Sequence, residues 1–309
     1  MIRRLFLSGA GALLTGACAG LSEEELRRRW PPLGQIIDVD GLAVHYWEQG
    51  EGQPVVLIHG ASGNLRDWTY HLAPRLAERY RVIAFDRPGF GYSARLPERG
   101  WDPAEQASHL ARATTRIGAE RPIVVGHSWG GALAMGWAVR HGADTRGIVT
   151  LAGATMPWGG KLAFYYSLAD SDLTGGLFSR LVNAVVSQDR IAGFLTETFE
   201  PQPVPEGYAD YIGGPLATRP STFRHNARDI TRLEGILKQQ SLSYPQVQIP
   251  VEILHGTADT TVWPEIHAQG MHALLPSSRL TLMDGVGHMP HHADAEAVVA
   301  AIDRLAARA

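Results

Sequence analysis

Short apolar runs recur along the chain, and each ends in a loop that is followed by a stretch with helical periodicity. The runs that predict buried strands lie at residues 55–58, 82–85, 123–125, 147–151, 251–254 and 279–283. The helical stretches lie at residues 68–79, 103–117, 131–141, 264–274 and 294–307. Strands that are apolar throughout and alternate with helices predict an α/β fold. Its mainly parallel, twisted sheet would be covered by helices on both faces. Residues 35–39 and 42–47, joined by Asp40-Gly41, predict a hairpin at its start.

Residues 154–250 interrupt this alternation. They contain helical patterns around residues 177–199 and 219–240, separated by the proline-rich turn "EPQPVPEGY", and no long apolar run. Helices inserted between two strands of one sheet predict a lid rather than an independent domain. The predicted organisation is therefore a core of residues 35–153 and 251–309 with a helical lid at residues 154–250.

The first 19 residues predict an export signal. Arg3-Arg4 and the apolar stretch that follows resemble a twin-arginine signal, and this stretch is shorter than the ~20 residues of a membrane span. Two endings are open: the residues up to Cys18 resemble a lipoprotein box in which Cys18 is lipidated, whereas Ala17-Cys18-Ala19 fits ordinary cleavage. Residues 20–34, with a capped charged helix, predict a spacer. We therefore expect an exported protein that is either periplasmic or anchored on the extracytoplasmic side by an N-terminal lipid, with no other membrane contact.

Composition narrows the classes of partner. The chain has 309 residues, of which 45% are hydrophobic and 19% charged, and a net charge of −3. No basic stripe is present to neutralise phosphates, which argues against nucleic acid as a partner. The single cysteine, Cys18, excludes an internal disulfide and a cysteine-based metal site. The glycine-rich loops lack phosphate-binding patterns, so we expect no cofactor. Oligomeric state has no signal in the sequence.

One strand-to-helix junction carries a candidate nucleophile. In "IVVGHSWGGALAMGW", residues 123–137, the strand pattern passes into the helix pattern through Ser128 without a polar loop. Gly126 and Gly130 remove the side chains that would clash at so sharp a turn. This is the G-x-S-x-G pattern, in which a serine hydroxyl is exposed at the apex of a strand–turn–helix.

A serine hydroxyl needs a base, and the base needs an orienting acid. Asp259 follows the predicted strand 251–254 in "LHGTADTTV", and His288 follows the strand 279–283 in "DGVGHMPHH". The rival loop, after residues 147–151, contains no carboxylate. Because the carboxyl ends of parallel strands share one edge of a sheet, we expect these side chains to meet there.

An oxyanion hole requires two backbone N–H groups near the nucleophile. Trp129, directly after Ser128, is the first expected donor. The loop His59-Gly60-Ala61-Ser62-Gly63 supplies the second, with Ala61 as the preferred donor and Ser62 in reserve.

From about residue 35 to the C-terminus the chain resembles the α/β-hydrolase fold superfamily, specifically its lidded serine members. The resemblance rests on "HGASG", "FDRPGFGYS", "GHSWGG", "HGTADTTV" and "GVGHMP", in that order. It implies Ser128 as nucleophile, His288 as base and Asp259 as its orienter, while Asp86 and Arg87 match a loop that is usually structural in the family. The implied activity is that of a serine hydrolase, esterase-like, which forms an acyl-enzyme on a small, mostly apolar carboxylic ester or lactone.

Other functions remain open. A serine at 128 argues against relatives that attack with aspartate, and Met289-Pro290 after His288 departs from the usual context of carbon–carbon hydrolases. The sequence "HGASG" departs from the oxyanion loop of proline iminopeptidases, which weakens a peptide-type activity. A ligand-binding receptor that retains the three residues is a further alternative. His288, His291 and His292 form a potential metal cluster, but a surface turn is the preferred interpretation, so no metal site is predicted.

Overall fold

The computed structural model of the protein describes residues 21–160 and 162–308. The predicted export signal, with the candidate lipidation site Cys18, lies outside the described residues. Among the helices of the described residues, none is both long enough and apolar enough to cross a bilayer.

An eight-stranded sheet forms the centre of the protein, in the order β1-β2-β4-β3-β5-β6-β7-β8. Its strands are β1 (Gln35–Val39), β2 (Leu42–Gln49), β3 (Pro54–Ile58), β4 (Arg81–Phe85), β5 (Ile123–His127), β6 (Gly147–Leu151), β7 (Val251–Gly256) and β8 (Ser278–Met283). The pairs β1/β2 and β2/β4 are antiparallel, and the pairs from β4 to β8 are parallel. The predicted α/β fold with a mainly parallel sheet is confirmed.

Helices cover both faces of this sheet. The α-helices of the described residues are α1 (Glu23–Arg29), α2 (Arg66–Thr69), α3 (Leu72–Leu76), α4 (Pro103–Arg116), α5 (Trp129–His141), α6 (Phe164–Asp170), α7 (Gly175–Val185), α8 (Gln188–Phe199), α9 (Tyr208–Tyr211), α10 (Pro215–Thr218), α11 (Pro220–Gln240), α12 (Gly270–Leu274), α13 (Pro290–Ala293) and α14 (Ala295–Ala306).

Strand β3 illustrates how successive residues serve the two faces. Val56 and Ile58 belong to the apolar core shared with α4 and α5, whereas Val55 and Leu57 belong to the core shared with α3 and α14. Successive side chains of a strand point to opposite faces, so a continuously apolar strand requires a covering layer on each side.

Three predicted helices differ from the observed elements. The stretch 68–79 is divided into α2 and α3 at His71, whose φ of −144° lies outside the helical region. The stretch 177–199 is divided into α7 and α8 because Ser187 caps α8 by accepting the N–H of Arg190. The stretch 264–274 begins with a π-helical turn, Glu265–Gln269, before α12.

Helices α6 to α11 lie between β6 and β7, in residues 154–250, the segment predicted as a lid, for which we keep the name lid. The longest of them, α11, packs against α6, α7 and α10. Asp170 at the end of α6 accepts hydrogen bonds from Arg228 and Thr231 of α11, which join these lid helices. An exposed apolar stripe with a spacing of four residues runs from the turn before α7 to the end of this helix: Leu173, Leu177, Leu181 and Val185.

The segment predicted as a spacer is packed against the lid. Leu26 and Trp30 are buried with Leu216 of α10. The indole Nε1–H of Trp30 donates to the carbonyl oxygen of Asp210 at 2.6 Å, and Glu23 pairs with Arg219 at 3.1 Å. Helix α1 is therefore part of the folded body.

Candidate active site

Ser128 lies at the junction of β5 and α5 with φ 53° and ψ −119°, a region that non-glycine residues rarely occupy. A Cβ on Gly126 would lie 2.1 Å from the carbonyl oxygen of Gly130, and a Cβ on Gly130 would lie 2.5 Å from that of Ile58. Both positions therefore require glycine. The strain at Ser128 is sustained by tight packing, including its N–H bond to the Leu151 carbonyl oxygen at 2.9 Å.

The structure brings the three predicted side chains together in one hydrogen-bonded line. His288 Nε2 lies 2.9 Å from Ser128 Oγ, and His288 Nδ1 lies 2.8 Å from Asp259 Oδ2. All three residues are buried, with Ser128 the most exposed at 9%. Asp259 follows β7 and His288 follows β8, so the parallel strands deliver both partners to the same edge of the sheet as the serine.

Backbone and side-chain donors hold Asp259 as a carboxylate. Its Oδ1 accepts the N–H groups of Thr261 and Val262 at 2.8 and 2.9 Å, and His255 Nε2 lies 3.1 Å from Oδ2. Burial raises the pKa of Asp259, but the facing His288 and the hydrogen bonds from His255 and His288 outweigh it and hold that pKa below its usual value. An ionised Asp259 keeps the proton of neutral His288 on Nδ1 and leaves Nε2 as the acceptor for the serine hydroxyl.

His255 is a contributor that sequence reasoning missed. Its Nε2–H faces both Asp259 Oδ2 and the Val262 carbonyl oxygen, the latter at 2.7 Å. The available signal was its place at the end of β7, four residues before Asp259 in "LHGTAD".

The loop after β3 lies directly against the serine, because a Cβ on Gly60 would be 3.0 Å from Ser128 Cβ. Within the described residues, the backbone N–H groups of Ala61 and Trp129 donate to no protein acceptor. The N–H of Ser62 donates to Asn226 Oδ1 at 2.8 Å. This bond corrects the reserve prediction: Ser62 is not free to donate to an oxyanion, whereas Ala61 and Trp129 are.

Two histidines beside the serine are neutral. His59 Nε2 accepts the N–H of Arg87 at 2.9 Å, which leaves its proton on Nδ1, 2.9 Å from the Gly60 carbonyl oxygen. Burial, then the nearby Arg87, lowers the pKa of His59 to about 4. His127 donates to the His288 carbonyl oxygen at 2.8 Å, and burial holds its pKa well below the usual value. Both side chains therefore hold loops in place.

His291 is buried and the side chain of His292 is only 4% exposed, so the prediction of a surface turn for them is wrong. Asp67 Oδ2 lies 3.1 Å from His291 Nε2, and its Oδ1 lies 2.9 Å from His292 Nε2. The hydroxyl of Tyr208 donates to the same Oδ1 at 2.8 Å. Asp67, His291 and His292 are close enough to hold a metal ion, their ligand atoms lying within 4.8 Å of one another, but His288 is not part of this group. The carboxylate ties the loop after His288 to lid helix α9.

Residues 55–301 match the model of the Alpha/beta hydrolase family. The chain belongs to this family. The match covers most of the chain and confirms the resemblance that the five sequence motifs indicated.

Three similar proteins cover most of the alpha/beta hydrolase described here. An uncharacterized protein of Mycobacterium tuberculosis (strain H37Rv) is 28% identical over 89% of this chain and 81% of its own length. A 2-hydroxymuconate semialdehyde hydrolase of Pseudomonas putida is 26% identical over 90% of this chain and 96% of its own. The crystal structure of an esterase from Rhodococcus sp. ECU1013 is 25% identical, with a TM-score of 0.67 over 89% of this chain and 98% of that chain.

Proposed function

We propose that this alpha/beta hydrolase forms an acyl-enzyme on Ser128 and hydrolyses small, mostly apolar carboxylic esters or lactones. The observation that carries the proposal is the unbroken line from Ser128 Oγ to His288 to Asp259, at 2.9 and 2.8 Å. A hydroxyl in contact with an imidazole that a carboxylate orients is the arrangement that activates serine for acyl transfer.

Each step of the proposed reaction has a group in place. His288 Nε2 takes the proton of Ser128 as Oγ attacks the substrate carbonyl. The resulting oxyanion accepts hydrogen bonds from the backbone N–H groups of Ala61 and Trp129. When the carbon–oxygen bond to the leaving group breaks, His288 returns the proton to the departing alkoxide. Water then attacks the acyl-enzyme with His288 again as base, which releases the acid and restores Ser128.

The surroundings of Ser128 favour an uncharged substrate. His59 and His127 are neutral, and the guanidinium of Arg87 is engaged by Asp229 at 3.0 Å. The similarity to the Rhodococcus esterase supports ester hydrolysis.

Carbon–carbon bond hydrolysis is the second candidate. The observation that favours it is the full-length similarity to the Pseudomonas putida 2-hydroxymuconate semialdehyde hydrolase, which covers 96% of that protein. Ser128, His288 and Asp259 could catalyse either reaction, so activity on each class of substrate distinguishes ester hydrolysis from carbon–carbon hydrolysis.

The first test is covalent labelling. Incubation with a fluorophosphonate, followed by the intact mass of the chain, is expected to give one adduct on the parent protein and none on Ser128→Ala. Ser187→Ala, at the helix cap between α7 and α8, is the matched control and should label like the parent. A folded parent that takes no adduct would remove the acyl-enzyme mechanism and favour a ligand-binding receptor.

A substrate panel then separates the two hydrolytic candidates. We expect kcat/KM for short acyl esters and lactones to exceed that for a ring-cleavage dienone of the 2-hydroxymuconate type by about 100-fold or more, a difference of about 3 kcal/mol in transition-state stabilisation. The opposite ranking would select carbon–carbon hydrolysis.

A further inference from the structure

Lid helix α11 carries two buried polar side chains that point at the core rather than at the other lid helices. Asn226 is 2% exposed and Asp229 is fully buried. Residues three apart on a helix share a face, so both belong to the side of α11 that faces the catalytic edge of the sheet. Burial of an amide and a carboxylate is costly unless each is fully hydrogen-bonded, so the partners of these two groups are informative.

The side chain of Asn226 makes two hydrogen bonds to Ser62, in the loop that carries Ala61. Its Oδ1 accepts the backbone N–H of Ser62 at 2.8 Å, and its Nδ2 donates to Ser62 Oγ at 3.0 Å. Ser62 has a φ of 54°, so the turn directly after Ala61 takes a left-handed conformation that the lid side chain holds in place.

The peptide bond between Gly60 and Ala61 is pinned from its carbonyl side. The Gly60 oxygen accepts from Arg87 Nη2 at 3.2 Å and from His59 Nδ1 at 2.9 Å. In a planar trans peptide the carbonyl and the N–H point in opposite directions, so donors that fix the Gly60 oxygen also fix the Ala61 N–H. They polarise the same amide, which strengthens it as a donor.

Asp229 connects that peptide to the other donor. Its Oδ2 accepts from Arg87 Nη1 at 3.0 Å, and its Oδ1 accepts from Arg95 Nη2 at 2.6 Å. Its backbone carbonyl accepts the indole Nε1–H of Trp129 at 3.2 Å. Asp229 therefore contacts both Trp129 and Arg87, which binds the Gly60 carbonyl oxygen. The guanidinium of Arg87 also lies 4.0 Å from the centre of the Trp129 ring.

We propose that Asn226 and Asp229 of lid helix α11, with Arg87 between lid and core, are positioning residues for the oxyanion hole formed by Ala61 and Trp129. The inference rests on the proposed acyl-enzyme function. None of the three touches the reacting atoms. Asn226 holds the Ser62 N–H next to Ala61, and Arg87 holds the Gly60 carbonyl oxygen. Asp229 holds Arg87 through its carboxylate and the Trp129 indole through its backbone carbonyl. Donors must lie within a few tenths of an ångström of their productive place, and loss of one costs about 100- to 1,000-fold in kcat.

The test compares Asn226→Ala and Asp229→Asn with the parent on an ester and on the matching thionoester. Sulfur is larger than oxygen and a weaker hydrogen-bond acceptor, so an intact oxyanion hole favours the oxygen ester. We expect kcat for the oxygen ester to fall about 10- to 100-fold in each variant with KM within about twofold. The rate ratio of oxygen ester to thionoester should fall as well, which a general loss of folded enzyme would not cause.

Asp170→Asn is the matched control, because Asp170 joins α6 to α11 without contacting Ser62, Arg87 or Trp129. It should leave both kcat and the ratio within about twofold of the parent. If Asp229→Asn fails to fold, Asp229→Glu and Asn226→Ser are measured by the same ratio.

Fluorophosphonate labelling distinguishes failure of this inference from failure of the proposed function. A parent that neither labels nor hydrolyses overturns the proposed function and this inference with it. A labelled, active parent whose variants keep the parent ratio overturns this inference alone.

Discussion

Ser128 owes its place to two glycines that are only two residues away on either side. The backbone passes Gly126 and Gly130 so closely that a methyl group at either position would overlap a carbonyl oxygen. Strain of this kind persists only where the surrounding contacts over-determine the conformation. The positions are therefore sensitive to the smallest possible side chain.

We expect Gly130→Ala to destabilise the protein by more than about 2 kcal/mol and to reduce labelling of Ser128, since its Cβ would lie 2.5 Å from the Ile58 carbonyl oxygen. Gly193→Ala in α8 is the matched control. Its Cβ would meet nothing within 4 Å, and alanine is favoured in helices by about 1 kcal/mol. Urea unfolding of the two variants should thus shift in opposite directions. Equal shifts would contradict the close approach at Gly130.

Local signals in the sequence predicted Ser128, Asp259 and His288, because each follows a predicted strand in a short motif. The same signals misplaced what depends on distant residues. The sequence offered Ser62 as a reserve donor to the oxyanion, but its N–H donates to Asn226, which lies 164 positions further along the chain. His291 and His292 were assigned to a surface turn because nothing in their own segment indicates that Asp67 faces them.

Among the elements, α1 has a role that its charged sequence conceals. Its apolar residues are few, yet Leu26 and Trp30 are buried against the lid. A periodic pattern predicts that a helix exists but not what it packs against, which is why residues 20–34 read as a spacer. The break between α7 and α8 has a related cause. The helical pattern of residues 177–199 is continuous in the sequence, and only the cap at Ser187 divides it into two helices.

Trp30→Ala is expected to lower the free energy of unfolding by about 3 kcal/mol, as for other buried aromatic residues. Trp30 is 6% exposed and its indole is hydrogen-bonded to Asp210, whereas Trp263 is 55% exposed. Trp263→Ala is therefore the control, with an expected change below about 1 kcal/mol. A loss for Trp30→Ala as small as that expected for Trp263→Ala would contradict the packing of Trp30 against the lid.

At the scale of the whole molecule, buried imidazoles govern the response to acid. The pKa values of His59, His225 and His267 are each lowered to about 4, with burial as the largest cause. In the unfolded chain a histidine has a pKa of about 6.5, so between these values the unfolded state binds more protons. Stability is therefore lost as the pH falls from about 6.5 towards 4.

We expect the free energy of unfolding to fall between pH 7 and pH 5, by on the order of 2 kcal/mol for His59 alone. Asp259 acts in the same direction at lower pH, since its lowered pKa stabilises the folded state above about pH 4 and that contribution is lost on further acidification. Urea titrations at the two pH values measure the loss, and His59→Gln should show a smaller one. A stability that is flat from pH 7 to pH 5 would contradict the burial of these rings as neutral groups.

The contacts of α11 also bear on how such lids can be exchanged by recombination. A crossover at the two ends of residues 154–250 would replace Asn226 and Asp229 while leaving Ser62, Arg87 and Trp129 in place. A chimaera made this way would keep its serine, histidine and aspartate, but the buried guanidinium of Arg87 would lose its carboxylate partner. In this protein a replacement lid would keep these contacts only if its helix brought an amide and a carboxylate three residues apart in the same register.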